Sequence, residues 1–283
     1  MAEELKAREL GVWYSGYLDI NLSAGVERDR HCSEEAGRAK KAARSIKGAA
    51  MAIHAFFPQG THCVALCTIV NGLLQVVATA TLLRDNGGPC LVTALHAICD
   101  RVGAYQSHYF DHGLMALATN NERIVLAGKK WMCYDEHDVA ILPLGAEEAE
   151  KLGGALDIAH AMESAALWLA YGFPQSSNKQ KHRLRPLSLN LQRIVLYNPT
   201  FFPSASSIAP EKVFSLHYDP KKSFNAETFN QQYAPSPKGC SGGLVAGYHP
   251  KFGCWIPEGI ITEWHESSSA LVATSIRSVF PAQ

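Results

Sequence analysis

Residues 74–96 read LQVVATATLLRDNGGPCLVTALH. Two apolar runs rich in Val, Leu and Thr flank Arg84-Asp85-Asn86-Gly87-Gly88-Pro89. Such runs suit a pleated, half-buried surface, and Asn-Gly-Gly supplies the positive φ that a tight hairpin needs. This stretch predicts two antiparallel strands and sets the character of the chain around it. Further strand-like runs lie at 50–57, 63–70, 123–126, 139–142, 167–171, 187–196, 212–218, 244–247, 259–263 and 271–276. Many short strands separated by turns predict an all-β barrel or sandwich architecture.

Outward from this region the composition changes. Residues 33–47 read SEEAGRAKKAARSIK, dense in helix formers, with Ser33 as N-cap and acids before bases. Segment 1–49 is therefore read as a helical or irregular extension outside the sheet core. Residues 147–166 are Ala-rich, predict a helix and mark a boundary between two β units. Residues 221–238, polar, preceded by Pro220 and containing Pro235 and Pro237, predict a long surface loop. The expected organisation is an extension over 1–49, a first β-barrel over 50–150 and a second over 151–283.

The chain has 283 residues, 26 basic and 26 acidic, and 47% of it is hydrophobic. It can bury a core, so wholesale disorder is excluded. Balanced charge gives no reason to expect nucleic acid as a partner. No window of eighteen apolar residues occurs, so no transmembrane helix is expected. The start, EELKAREL after Met1-Ala2, lacks the basic-then-apolar order of a signal peptide, and a cytoplasmic location is expected. The eight cysteines (Cys32, Cys63, Cys67, Cys90, Cys99, Cys133, Cys240, Cys254) are then expected as free thiols. His62, Cys63 and Cys67 have no second ligand pair at zinc-site spacing, so buried thiols are the preferred reading. His108, Asp111 and His112 fit a polar loop as well as a metal site. The basic run Lys179, Lys181, His182, Arg183, Arg185 reads as a solvated hairpin before a docking contact. No metal or cofactor is expected.

Three segments carry chemistry. Leu91-Val92-Thr93-Ala94-Leu95-His96 is a buried strand ending in histidine. His137-Asp138-Val139-Ala140-Ile141-Leu142 leads an aspartate into an apolar strand. Gly239-Cys240-Ser241-Gly242-Gly243-Leu244 encloses a serine in glycines. Each alone has a bland explanation as a surface histidine, a turn aspartate or a glycine turn. Together, in the order His, Asp, Ser, they resemble the chymotrypsin/trypsin-like serine protease superfamily, whose sequence here is Thr-Ala-x-His, Asp-x-Ala-x-Leu and Gly-x-Ser-Gly-Gly. Tyr171-Gly172-Phe173-Pro174 looks like the strand end of bacterial high-temperature-requirement-type members. Residues 78–82 (ATATL), 259–264 (GIITEW) and 271–276 (LVATSI) resemble, respectively, the strand before the hairpin, the strand lining the specificity pocket, and the strand before the C-terminus. The resemblance covers roughly residues 50–283.

The resemblance implies a chymotrypsin-like fold of two six-stranded antiparallel β-barrels. It implies a serine endopeptidase without a PDZ domain, acting on polypeptides bound extended between the barrels. Ser241 would be the nucleophile, His96 the general base and then acid, and Asp138 the orienting carboxylate. The N–H groups of Gly239 and Ser241 would form the oxyanion hole. Pro235 would lie near the base of the specificity pocket, with Thr262, Glu263 and Trp264 along its wall. An acidic wall would select a basic side chain, while Trp264 would narrow the pocket for small ones. Cys240 stands where zymogen-type members carry the acid that pairs with a cut N-terminus, so activation of that kind is not expected. The serine register before Gly242-Gly243 favours Ser241 over Cys240 as nucleophile. The alternative is a silent or partner-activated interaction module on the same fold, with a regulatory protein docking through 1–49.

Overall fold

Asn71-Gly72 is a second tight turn. Both residues have positive φ, 52° and 74°, the type I′ pair whose twist matches that of the strands it joins. It connects β2 (Cys63–Val70) to β3 (Leu73–Asp85), and Asn86-Gly87 then connects β3 to β4 (Gly88–Ala94). In that second turn the positive φ, 112°, falls on Gly88, and the Asp85 carboxylate accepts the Gly87 N–H at 2.8 Å. The expected hairpin is therefore present, with a strand on each side.

The computed structural model describes residues 12–15, 62–99, 113–159, 165, 167–181, 187–196, 202–225, 231–249 and 251–281. They form two sheets. Strand β1 (Val12–Ser15) belongs to the second. The first sheet holds β2 to β4, β5 (Met115–Leu117), β6 (Arg123–Val125), β7 (Met132–Tyr134), β8 (Val139–Pro143) and the short β9 (Leu156–Asp157). Its order is β6-β5-β2-β3-β4-β8-β7, with β9 pairing parallel to β3. The second sheet adds β10 (Leu167–Gly172), β11 (Gln192–Leu196), β12 (Val213–His217), β13 (Ser223–Asn225), β14 (Gln231–Gln232), β15 (Leu244–His249), β16 (Cys254–His265) and β17 (Ala270–Ser275). Its order is β12-β17-β16-β15-β10-β11-β1-β13-β14. Apart from β3–β9 and β1–β11, all pairings are antiparallel.

The all-β, two-sheet architecture is the expected one. The strands number eight and nine instead of six and six, because short strands are added at the margins of both sheets. Segment 1–49 departs from expectation in its one described part. Val12-Trp13-Tyr14-Ser15 is extended and sits beside β11, as a β-branched and aromatic run favours. The helix expected over 33–47 and the strand expected over 50–57 lie outside the described residues. So do His108, Asp111, His112 and the basic residues His182, Arg183 and Arg185. The loop expected over 221–238 contains the small hairpin β13–β14, paired onto β1. The expected helix of 147–166 is short, α1 (Ala146–Lys151), because Gly153 and Gly154 turn the chain at φ 112° and 83°.

One apolar cluster is shared by both sheets. It joins Ala65, Val92 and Ile141 of the first to Leu169, Leu244 and Trp255 of the second. Further clusters lie within the first sheet, around Leu66, Leu82 and Leu91, and within the second, around Leu216, Tyr218 and Leu271. A last short helix, α2 (Ile276–Val279), follows β17. Among the described residues no helix is long and apolar enough to cross a membrane.

Candidate active site

Strands β4 and β8 are neighbours, and Ala94 pairs with Val139. Their adjacent ends therefore deliver His96 and Asp138 to one place. His96 lies in a single 3-10 turn, Leu95–Ala97, directly after β4. Asp138 closes another, Asp135–His137, in the left-handed conformation at φ 48° and ψ 43°. Aspartate tolerates that region better than most residues. The Asp138 backbone carbonyl accepts the Leu95 N–H at 2.9 Å. Its Oδ1 accepts the His96 N–H at 2.9 Å, and its Oδ2 accepts from His96 Nδ1 at 2.6 Å. With Nδ1 donating to a carboxylate, Nε2 of the neutral ring is left as an acceptor. Ser241 Oγ lies 3.2 Å from that atom.

The Asp138 side chain is largely covered, with 15% of it exposed, whereas about half of the His96 side chain, 47%, faces solvent. Packing around the imidazole disfavours its charged form. The hydrogen bond and charge of Asp138, and the charge of Glu263, outweigh that and raise the His96 pKa above its ordinary value.

Ser241 sits in a turn where nearly every backbone polar group has a partner. The Lys238 carbonyl accepts the Gln175 N–H, and the Cys240 N–H reaches the Pro237 carbonyl. The Gly239 carbonyl accepts the Thr79 hydroxyl at 2.9 Å. The Cys240 carbonyl accepts from Gly243 N, and the Ser241 carbonyl from Thr79 N. The Gly242 carbonyl accepts the Thr81 hydroxyl at 3.0 Å, while the Gly242 N–H donates to Ile261. Among the described residues, the N–H groups of Gly239 and Ser241 have no protein acceptor. They lie on either side of the Gly239–Cys240 peptide.

Two glycines in this turn are required by space and conformation. A Cβ on Gly242, at φ 87°, would lie 2.0 Å from the Thr79 carbonyl oxygen and 2.2 Å from Thr93 Oγ1. A Cβ on Gly239, at φ 96°, would press on Gln175 and the Phe173 carbonyl within 3.0 Å. Cys240 faces inward against Gly172 and is fully buried, and burial drives its thiol pKa well up. A buried, protonated thiol is a poor nucleophile.

The expected pocket residues are placed as follows. Pro235 is half-buried, and its carbonyl accepts the Tyr218 hydroxyl at 2.6 Å. Thr262 is buried at an irregularity between Ile261 and Glu263, and its hydroxyl points to the Val272 carbonyl at 3.4 Å. Trp264 packs against the cluster around Leu216 and Leu271. Glu263 is bound by its neighbours. Its Oε1 accepts the N–H and hydroxyl of Ser207 at 3.0 and 2.6 Å, and His265 Nε2 lies 2.8 Å from Oε2. Burial pushes the Glu263 carboxyl up, but these hydrogen bonds prevail and hold its pKa below the usual value.

Buried threonines outside the three motifs' chemical residues support the site. Thr79 and Thr81, both fully buried, tie the first sheet to the serine turn, and the buried Thr93 donates to the Thr79 carbonyl within that sheet. Thr274 donates to the His137 carbonyl at 2.7 Å and anchors the turn that carries Asp138. The available signal was polar residues spaced by two in apolar strands, Thr79 with Thr81.

No protein-family model matches the chain, and no curated protein does. Solved structures resemble it at low identity. A thermostable serine protease, AL20, from an extremophilic microorganism has 14% identity and a TM-score of 0.48, over 76% of this chain and 91% of that one. The serine protease domain of the Sesbania mosaic virus polyprotein has 13% and 0.47, over 80% and 94%. A structure from work on the coupled folding and binding of the disordered VPg protein of the same virus has 15% and 0.48, over 79% and 90%.

Proposed function

We propose that the chain is a serine endopeptidase. The observation that carries this reading is the line Asp138–His96–Ser241, with contacts of 2.6 and 3.2 Å, beside two N–H groups that have no acceptor among the described residues. Ser241 Oγ attacks the carbonyl carbon of a bound peptide while His96 Nε2 takes its proton. The carbonyl oxygen becomes an oxyanion and receives the N–H groups of Gly239 and Ser241. Asp138 keeps Nδ1 protonated and stabilises the imidazolium. The tetrahedral species collapses, the C–N bond breaks, and His96 passes the proton to the leaving amine. Water then attacks the acyl-enzyme with His96 again as base, releasing the acid and restoring Ser241.

The substrate is a polypeptide in extended form along β16 beyond Ile261, where that strand no longer pairs with β15. Glu263 is the acidic group on that side and is proposed as part of the substrate-binding wall. The test is Ser241→Ala with casein and a peptide library. Turnover is expected to fall by about 10⁶, to the level left by binding and the oxyanion hole alone; unchanged hydrolysis would refute the assignment. Stoichiometric labelling of the wild-type chain by a fluorophosphonate at Ser241 separates a peptidase from a silent interaction module, which would remain unlabelled.

A further inference from the structure

The three polar groups of Thr79 make four hydrogen bonds, three of them across the junction between the sheets. Its N–H donates to the Ser241 carbonyl at 2.9 Å. Its carbonyl accepts the hydroxyl of Thr93, three residues before His96, at 2.7 Å. Its own hydroxyl donates to the Gly239 carbonyl at 2.9 Å and accepts the Phe173 N–H at 2.9 Å. The residue is wholly buried, so none of these bonds can be replaced by bulk water without rearrangement.

We infer that Thr79 is a positioning residue, whose hydroxyl sets the separation and direction of the Gly239 and Ser241 N–H groups. The inference rests on the peptidase reading and deepens it. Backbone contacts to β3 would survive with almost any side chain at position 79; the bond to Gly239 needs a hydroxyl. The Gly239 carbonyl belongs to the peptide between the two donors. Fixing it fixes ψ of Gly239 and φ of Cys240. Gly239 has no Cβ to limit its own rotation, so the constraint must come from its neighbours. Gln175 N–H supplies one side of it, at the Lys238 carbonyl, and Thr79 supplies the other. Without the hydroxyl, a buried carbonyl and a buried N–H both lose their partner. The glycine peptide would then rotate to recover a donor, moving the N–H groups away from a developing oxyanion. Donors of this kind act through geometry, and they are tuned to the transition state more than to the bound substrate.

The experiment compares Thr79→Val, Thr79→Ala and Thr79→Ser with the wild-type chain, measuring kcat and KM on a peptide substrate across pH. Losing an oxyanion donor outright typically costs about 100-fold to 1,000-fold in kcat, so a misaimed pair is expected to cost about 10-fold to 100-fold. That loss should fall on kcat in Thr79→Val and Thr79→Ala, with KM nearly unchanged. Thr79→Ser, which keeps the hydroxyl, should recover most of it. The acid limb of the pH profile should stay in place in all three, because Thr79 does not touch His96. Wild-type kcat in both hydroxyl-free variants, equal losses in Thr79→Ser, or a loss carried by KM would overturn the inference. So would failure of both hydroxyl-free variants to fold alongside an active Thr79→Ser, since the role would then be structural. Ser241→Ala measured in parallel separates the two levels. Its turning over would sink the peptidase reading, whereas its inactivity beside a fully active Thr79→Val would sink only the role of Thr79.

Discussion

At the scale of single residues, the proposed chemistry requires His96 to be neutral so that it can accept the serine proton. Its pKa is raised, so kcat/KM should climb with pH through a midpoint above the ordinary imidazole value. Glu263 contributes to that rise, and Glu263→Gln should move the midpoint down; a pH–rate profile of the variant checks it. The sign for stability is the opposite. A raised histidine pKa stabilises the fold at pH below the unfolded value, and the contribution is lost as pH rises through the folded one. Asp138→Asn keeps the shape but offers the ring a donor, which favours the wrong tautomer. A loss of about 10⁴ in kcat with an intact fold is expected from steady-state rates and circular dichroism. Gly242→Ala is different in kind. Its new Cβ would meet backbone at 2.0 Å in a positive-φ position, so about 3 kcal/mol or more of destabilisation is expected in denaturant melts.

At the scale of elements, the site depends on strand ends more than on strands. β4 and β8 run antiparallel; a 3-10 turn directly after β4 carries His96, and Asp138 links another such turn to the start of β8. The Asp turn is held from the second sheet, by the Thr274 hydroxyl of β17 on the buried His137 carbonyl. Thr274→Val should lower stability by about 1–3 kcal/mol, read from chemical unfolding, because the carbonyl loses its donor. It should also slow turnover by loosening Asp138. His96, Asp138 and Ser241 were legible as candidates because their three segments follow one another in the order of a known family's motifs; each segment alone had a bland reading. Thr274 and Thr79 were not, because a threonine within a strand looks the same whether it faces a neighbour's carbonyl or fills space.

At the scale of the whole molecule, the two sheets share a core and a hydrogen-bonded seam, and the site lies across that seam. Leu169 is fully buried in the shared cluster. Leu169→Ala should cost about 2–5 kcal/mol, and both sheets should unfold in one transition whether followed by fluorescence or by circular dichroism. No disulfide joins the seven described cysteines. Burial pushes Cys63 to about 11 and Cys67 to about 12; burial, with the charge of Asp85, pushes Cys90 to about 12. Cys133 is exposed on β7. Among the described cysteines, iodoacetamide at pH 8 should therefore alkylate Cys133 first, with the buried thiols reacting only on unfolding, as peptide mass mapping would reveal.

Sequence alone determined the all-β character, the hairpin at Asn86-Gly87 and the identity of His96, Asp138 and Ser241 as candidates. The first two are local properties, period-two patterning and turn chemistry; the third rests on three short motifs in a recognisable order along the chain. Tertiary structure decided the rest. It brought residues 42 and 145 positions from His96 to within hydrogen-bonding distance of its ring. It set which backbone groups in the serine turn find a partner among the described residues. It placed Val12–Ser15 in a sheet and bound Glu263 to Ser207 and His265. Hydrogen-bond partners across two sheets depend on register and on the approach of distant strands, and no short window of sequence contains either.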